Sequence, residues 1–260
     1  MNADPNQDIP RKLPASHGFQ WVNTGFRFYR RNPLLLSAAF GVIFGVVMAL
    51  GLIPGIGGAL SDLVWPLAVA GFMAAFRALD DGRELELPNF LAGAQGPALP
   101  LMSIGAVQLL AMLVIGKIML SMGFDPQALM EVAQRGDATP QDMQVVLNQS
   151  LPAVFTGLLL FAPLMMATWF APALILFGGA RPMTALGVSL KAVARNWAPM
   201  LVNSLALGLL LFVSALVPFL LGLLVAMPVL FGSLYASYQA IFAVWADEAP
   251  AGDQAADNLA

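Results

Sequence analysis

Long runs without a charged residue constrain the fold of this chain more than any other feature of its sequence. Leu34 to Ser61 contains no Asp, Glu, Lys or Arg, and neither does the longer run Asn196 to Ala246. A helix needs about 20 apolar residues to cross roughly 30 Å of hydrocarbon, because it rises about 1.5 Å per residue. The first run therefore holds one membrane crossing and the turn after it, and the second is long enough for two crossings.

The composition agrees with a membrane protein. Hydrophobic residues make up 59% of the chain and charged residues 10%, with a mean hydropathy of +0.77, whereas soluble domains are about 25% charged. The chain has no cysteine, which excludes disulfides and thiolate metal sites. We expect no nucleic-acid partner, because no basic nucleic-acid-binding surface is visible.

Six spans are predicted when the apolar runs are divided by the length of one crossing. Their limits are about 34–53, 59–78, 99–122, 151–177, 198–217 and 221–245. The predicted fold class is all-α: a polytopic transmembrane bundle of six spans arranged as hairpins within 17–246. The remaining segments are predicted as a disordered cytoplasmic N-terminus at 1–16, an external loop at 123–150 and a disordered cytoplasmic tail at 247–260.

Prolines and glycines are predicted to mark the turns and bends. Pro54 to Gly58 should reverse the chain after the first span, and Pro218 after the fifth. Pro163 and Pro172 interrupt the fourth span, where a kink would be either a hinge or part of the packing. Ser61 and Asp62 are interpreted as a cap at the start of the second span rather than an ion site.

Two basic amphipathic segments are predicted to form interfacial helices, one before the first span and one before the fifth. Their apolar residues recur at steps of three and four, as on one face of a helix: Phe19, Val22, Phe26 and Tyr29, then Leu186, Leu190, Val193 and Trp197. The candidate lipid-headgroup contacts beside these stripes are Arg27, Arg30, Arg31, Lys191 and Arg195. The alternative is that these residues only orient the spans that follow them.

The distribution of basic residues predicts the orientation. With six spans, ten of the 12 lysines and arginines share one side: Arg11, Lys12, Arg27, Arg30, Arg31, Arg77, Arg83, Arg181, Lys191 and Arg195. Only Lys117 and Arg135 fall on the other side. Because basic loops stay in the cytoplasm, both termini are predicted to be cytoplasmic.

An internal repeat is predicted from a shift of 164 positions, which aligns Arg27 with Lys191, Asn32 with Asn196 and Pro54 with Pro218. Each copy contains a basic amphipathic helix, a span, a proline turn and a second span. The third and fourth spans are interpreted as a diverged middle copy. Three hairpins of one orientation indicate a parallel repeat, unlike the inverted repeats of many secondary transporters.

Several short motifs carry a resemblance to a known family. They are Arg31-Asn32-Pro33, Ile53-Pro54-Gly55, Trp65-Pro66 and Gly71-Phe72-Met73. With these motifs the chain resembles a family of uncharacterised proteobacterial six-span inner-membrane proteins. More loosely, it is similar to the membrane domain attached to some glycerophosphodiester phosphodiesterases. The resemblance implies a location in a bacterial inner membrane and supplies no catalytic residues.

The sequence shows no set of residues typical of an active site. The single histidine, His17, lies before the first span, and no HExxH, Walker, GxGxxG or GxSxG pattern is present. We therefore expect no catalytic, cofactor or metal site. The candidate polar residues within the spans are Gln108, Asn203 and Gln239. They would either line a pathway for a solute or join helices by hydrogen bonds.

These observations predict a non-enzymatic integral inner-membrane protein that acts through interactions in the membrane. The expected partners are anionic headgroups at the cytoplasmic face and either other membrane proteins or a second copy of the chain. The alternative is a permease or lipid-handling protein for a neutral or lipidic solute, since the span interiors lack the ionisable residues that ion-coupled carriers use.

Overall fold

The structure is a computed structural model that describes residues 10–135 and 139–242. The segments 1–9, 136–138 and 243–260 lie outside the described residues. Three sequence predictions therefore fall outside the described residues, wholly or in part. They are the disordered tail, most of the disordered N-terminus and the last residues of the sixth span.

The described chain is built from helices. They are α1 (His17–Arg31), α2 (Pro33–Gly51), α3 (Gly57–Asp80), α4 (Leu87–Phe90), α5 (Ala92–Gln95), α6 (Ala98–Ser121), α7 (Pro126–Gln134), α8 (Pro140–Trp169), α9 (Ala171–Gly178), α10 (Pro182–Arg195), α11 (Trp197–Ala215) and α12 (Leu223–Ile241). A short 3-10 turn, Pro218–Leu220, connects the last two.

Six helical segments of the described chain are long and apolar enough to cross a membrane. They are α2, α3, α6, α8 with α9, α11 and α12. Consecutive segments pair as three hairpins, α2 with α3, α6 with α8 and α9, and α11 with α12. The predicted all-α bundle of six spans is therefore confirmed.

The helices α3, α9 and α12, which belong to the second members of the hairpins, lie inside the bundle, whereas the first members lie outside. Nearly every residue from Ala68 to Leu79 of α3 is buried, as are most residues of α9 and α12. The outer helices α2, α6 and α11 bury one side only, so that Val42, Leu205 and Phe212 are all more than 60% exposed. These outer apolar surfaces are the ones available to lipid.

One helix, or in one case a pair of short helices, precedes each hairpin and packs on the inner helix of the hairpin before it. We call α1, the α4–α5 pair and α10 the docking helices. The α4–α5 pair precedes α6 and packs on α3, while α10 precedes α11 and packs on α8 and α9. The first docking helix, α1, packs on the last inner helix, α12, and on α11. The three units therefore close into a ring.

Small residues bring the docking helices into backbone contact with the inner helices. A Cβ atom at Gly25 of α1 would overlap the carbonyl oxygen of Val229 on α12. In the same way, a Cβ atom at Gly93 of α5 would overlap the carbonyl oxygen of Leu67 on α3. Such close approach is possible only for glycine, as at other helix crossings in membranes.

The buried face of α1 is not the apolar stripe predicted from the sequence. Gly18, Trp21, Gly25 and Phe28 are its buried residues. In the predicted stripe, Phe19 is 67% exposed and Phe26 is 41% exposed. The helix thus has two apolar faces, one packed on α11 and α12 and one directed away from the bundle. In the second stripe, Leu186 and Val193 are buried, whereas Trp197 already belongs to α11 and is 65% exposed.

Hydroxyl groups lie at two of the places where prolines interrupt the helices. Pro228 has no N–H to donate, so the carbonyl of Leu224 in α12 needs another donor. The Ser37 hydroxyl of α2 donates to it at 2.9 Å. At the break before Pro172, the Ser189 hydroxyl of α10 accepts from the Phe170 N–H at 3.0 Å and donates to the Met166 carbonyl at 2.8 Å. Ser189 thereby bridges the interrupted ladder between α8 and α9.

Three details differ from the sequence predictions. Residues 140–150, expected within the external loop, are the first turns of α8, because Thr139 and Asp142 form a capping box that starts the helix there. The cap interpretation of Ser61 and Asp62 is wrong, since α3 begins at Gly57 and the Ser61 hydroxyl donates to the Val47 carbonyl at 2.9 Å. The α4–α5 docking pair was not predicted.

The positions of the helices agree with the shift of 164 positions. Helices α2 and α11 are both 19 residues long, and their first residues, Pro33 and Trp197, are separated by that shift. Gly25 of α1 and Ser189 of α10, which both touch inner helices, are separated by the same shift. Common ancestry of the copies remains a prediction.

The Gly25 contact leads to the first test. Gly25→Ala should destabilise the protein by about 1–3 kcal/mol, because the new methyl group must push α1 away from α12. Gly208→Ala is the matched control, since nothing lies within 4 Å of a Cβ at that position of α11. The control should be neutral or up to about 1 kcal/mol stabilising, as alanine favours a helix over glycine. Thermal unfolding of the purified variants measures both changes in stability. Equal stability of Gly25→Ala and Gly208→Ala would contradict the close packing of α1 on α12.

The Ser189 bridge leads to the second test. Ser189→Ala should cost about 1–3 kcal/mol, because it leaves the buried Phe170 N–H and Met166 carbonyl without their hydrogen-bond partner. Ser204→Ala on the exposed side of α11 should change the stability by less than about 0.5 kcal/mol. A similar unfolding midpoint for the two variants would show that the hydroxyl does not join α8 to α9.

Candidate functional site

Three arginines lie together at the C-terminal end of α1. Arg27, Arg30 and Arg31 are three and four positions apart, so a helix places them on neighbouring parts of its surface. All three are exposed. They line a cavity of about 340 Å³ together with Thr24, Phe28 and Asp80, and we call it the arginine pocket.

Contacts within the protein hold each arginine in place. Arg31 donates to the carbonyl of Leu79, in the last turn of α3, at 2.7 Å. Its guanidinium also lies 5.4 Å from the ring centre of Phe28, within the range of a cation–π interaction. Arg31 therefore ties the end of α1 to the end of α3.

The other two arginines have weaker attachments. Arg27 donates to the Thr24 hydroxyl oxygen at 3.0 Å. The guanidinium of Arg30 lies 5.9 Å from the ring centre of Phe26, at the outer limit of a cation–π contact. Both guanidinium groups keep donors for a further partner, since each has five N–H groups.

Asp80 completes the arginine pocket from α3. Its Oδ2 accepts a hydrogen bond from the Tyr235 hydroxyl of α12 at 3.0 Å. The Tyr235 oxygen in turn accepts from the Gln239 amide nitrogen at 2.6 Å. The pocket is thus connected to α1, α3 and α12 at once.

The arginine pocket has an excess of positive charge. In the described ranges, the ion pairs are Arg83 with Asp81 and Arg135 with Glu131, both on exposed side chains. Neither pair involves the arginines of the pocket. The Asp80 carboxylate is more than 4.0 Å, the limit for an ion pair, from the guanidinium nitrogens of these arginines. Among the described lining residues, three cations and one carboxylate give the pocket a formal charge of +2.

The other basic candidates lie elsewhere. Lys191 and Arg195 of α10 are exposed and do not line the arginine pocket. Next to them, Asn196 is buried and was missed in the sequence analysis. Its amide nitrogen donates to the Arg11 carbonyl at 2.8 Å, and its oxygen accepts from the Leu13 N–H at 2.9 Å. Asn196 therefore fastens the segment before α1 to the start of α11.

The candidate polar residues of the spans do not form one group. Asn203 is fully buried, and its oxygen accepts from the Ser233 hydroxyl at 2.6 Å, which joins α11 to α12. Gln239 belongs to the Tyr235 and Asp80 chain. Gln108 alone lines a second cavity, so the structure separates the three residues.

This second cavity, which we call the central cavity, measures about 180 Å³ and lies among α3, α6, α8, α9 and α12. Its lining is mainly apolar and includes Trp65, Trp169 and Phe231, with Gln108 and Thr168 as polar members. The Thr168 hydroxyl donates to the Leu164 carbonyl of its own helix at 3.0 Å. The buried indole N–H of Trp169 has no hydrogen-bond partner among the described residues.

The described part of the chain offers no cluster for metal chemistry, since no three His, Asp or Glu residues in it are grouped closely enough to hold a metal ion. Sequence reasoning missed Thr24 and Asp80 as parts of the arginine pocket, and Tyr235 as the hydrogen-bond partner of Asp80. Thr24 could have been found, because it lies three positions before Arg27 on the same helix face. Asp80 and Tyr235 could not, because only the packing of α3 and α12 brings them to α1.

Comparison with known proteins supports the membrane location. The chain is 29% identical over 261 residues to a protein of Burkholderia thailandensis named a probable inner membrane protein, covering 92% of this chain and 96% of that one. No family model matches the chain, and no solved structure matches it. The likeness fits an uncharacterised membrane family, whereas the resemblance to phosphodiesterase membrane domains stays a prediction. With six helices long and apolar enough to span a membrane, the chain is an integral membrane protein similar along nearly its whole length to a probable inner-membrane protein.

Proposed function

We propose that this protein is a non-enzymatic inner-membrane protein that acts through interactions at its basic, cytoplasmic end. The arginine pocket is the single observation that carries the proposal. Arg27, Arg30 and Arg31 lie on a docking helix whose other face is packed on the bundle, and no carboxylate of residues 10–135 or 139–242 forms an ion pair with them within 4.0 Å. Cations held in this way suit contact with anionic lipid headgroups.

The positions of the basic residues support the orientation. Arg11 and Lys12 precede α1, Arg77 and Arg83 flank the end of α3, and Arg181 precedes α10. All of these belong to segments on the same side of the spans. The arginines of the pocket and the two basic residues of α10 belong to that side as well. In the proposed topology both termini lie on that side, in the cytoplasm.

Other membrane proteins, or a second copy of this chain, are the further partners we propose. Residues along the outer side of α11, including Leu205, Leu209 and Phe212, are about two thirds exposed. An apolar surface of this kind is covered by lipid or by another membrane helix.

The second candidate function is that of a permease or lipid-handling protein. The central cavity favours it, because Gln108 and the broken α8–α9 span both border this space. Against it, about 180 Å³ is below the usual range of roughly 300–1,000 Å³ for small-molecule sites. We therefore rank transport second.

The proposed topology is tested with single cysteines, since the chain has none of its own. Ser16→Cys, Glu84→Cys and Ala251→Cys should be protected from an impermeant thiol reagent in intact cells with a permeable outer membrane. Gln127→Cys in α7 should react. After lysis all four should react, which shows that each introduced thiol is accessible. The reverse pattern would invert the topology, and a difference between positions 16 and 251 would mean an odd number of spans.

The choice between the two functions is tested in liposomes. The purified protein should give no flux above that of empty liposomes across a panel of neutral solutes and labelled lipids. If flux occurs and Gln108→Leu abolishes it, while Ser204→Leu on the exposed side of α11 does not, the central cavity is part of a pathway. That result would replace the interaction function by transport.

A further inference from the structure

The arginine pocket has the composition of a site for one ligand rather than a diffuse basic surface. We propose that Thr24, Arg27, Arg30, Arg31 and Asp80 bind one phosphate group that carries a hydrogen-bond donor beside it, as in the headgroup of a glycerophospholipid. This inference rests on the proposed function and specifies the lipid contact at the cytoplasmic end of the protein.

The close spacing of the three arginines favours the binding of an anion. Like charges three and four positions apart on a helix repel each other, and Arg27 is that close to both Arg30 and Arg31. In most helices a nearby carboxylate relieves such repulsion. Here Asp80 lies on another helix and forms no ion pair with any of the three. A bound anion would remove this repulsion.

A phosphate group matches the donors that are present. Arginine recognises phosphate through two parallel N–H donors, and such charge-assisted hydrogen bonds are among the strongest in proteins. Arg27 and Arg30 have free N–H groups after their contacts with Thr24 and Phe26. The Thr24 oxygen accepts from Arg27, so its own hydrogen remains available to the ligand.

Asp80 restricts which phosphates fit. A carboxylate has acceptors only, and it repels the charge of the phosphate unless the ligand offers it a hydrogen. Its Oδ2 is already held by Tyr235 at 3.0 Å, which fixes the carboxylate in the pocket. A glycerol hydroxyl, an ammonium or a P–OH group next to the phosphate would supply the missing donor. A phosphocholine headgroup has no such donor.

The surroundings favour a lipid over a soluble phosphate. Phe26, whose ring lies under Arg30, is 41% exposed, and Phe19 on the same helix is 67% exposed. Both rings lie on the face of α1 directed away from the bundle, and Phe26 is next to the pocket through its contact with Arg30. An acyl chain attached to the bound phosphate could cover them.

The proposal is tested by ligand binding to the full-length protein in a non-ionic detergent. The probes are dihexanoyl phosphatidylglycerol, dihexanoyl phosphatidylcholine and sodium phosphate, and binding is measured by calorimetry and by the shift in unfolding temperature. The wild type should bind phosphatidylglycerol roughly tenfold or more tightly than phosphatidylcholine.

The variants separate the site from general basicity. Arg27→Gln and Arg30→Gln should each weaken phosphatidylglycerol binding by about tenfold or more, since each removes charge-assisted hydrogen bonds. Arg181→Gln removes the same charge from an exposed position before α10 and should leave binding unchanged. Arg31 is not used, because its contact with Leu79 makes it part of the packing. Asp80→Asn should bind phosphatidylcholine more tightly and so reduce the preference for phosphatidylglycerol.

The outcomes are distinct. Sodium phosphate that binds as tightly as the lipid, and loses affinity in Arg27→Gln, would support the phosphate site and assign it to a soluble ligand. Equal binding of both lipids by the wild type, or equal losses in Arg27→Gln and Arg181→Gln, would overturn the site. The proposed function would survive that result, because its own failure would be seen as inverted thiol labelling or as solute flux.

Discussion

Backbone polar groups inside a membrane must find partners within the protein, and this requirement governs how the bundle is assembled. Each inner helix carries an interruption, as at Pro228 of α12 or before Pro172 of α9. At these two places hydroxyls from neighbouring helices, Ser37 and Ser189, provide the missing hydrogen bonds. The helices that supply them must approach closely and in one register, so satisfying the backbone also fixes the packing.

The candidate site is a product of the same packing. Gly25 lets α1 lie directly on α12, and Arg31 holds the end of α1 to the end of α3. These two contacts place three arginines opposite Asp80, whose carboxylate is oriented by Tyr235. The arrangement of the arginine pocket is thus determined by helix contacts in the membrane, although the charged groups themselves lie at its edge.

Much of the fold could be predicted from the sequence, because apolar runs and prolines report directly on membrane crossings and turns. The six spans and the turn at Pro218 follow from local composition. Arg27, Arg30 and Arg31 could be placed together because helical spacing is also local. The buried face of α1 could not, since Gly18 and Gly25 become a packing surface only when another backbone lies against them. Asp80 was missed because its place depends on contacts distant in sequence.

The ring formed by the docking helices has a consequence for biosynthesis. The first helix of the described chain, α1, packs on the last one, α12. Because α1 is synthesised well before α12, its glycine face has no partner until α12 has been inserted. If the proposed lipid contact forms, its arginines and exposed phenylalanines would hold α1 at the membrane surface during that interval. Completion of the bundle is then a late event, and a chain truncated before α12 would leave the first helix undocked.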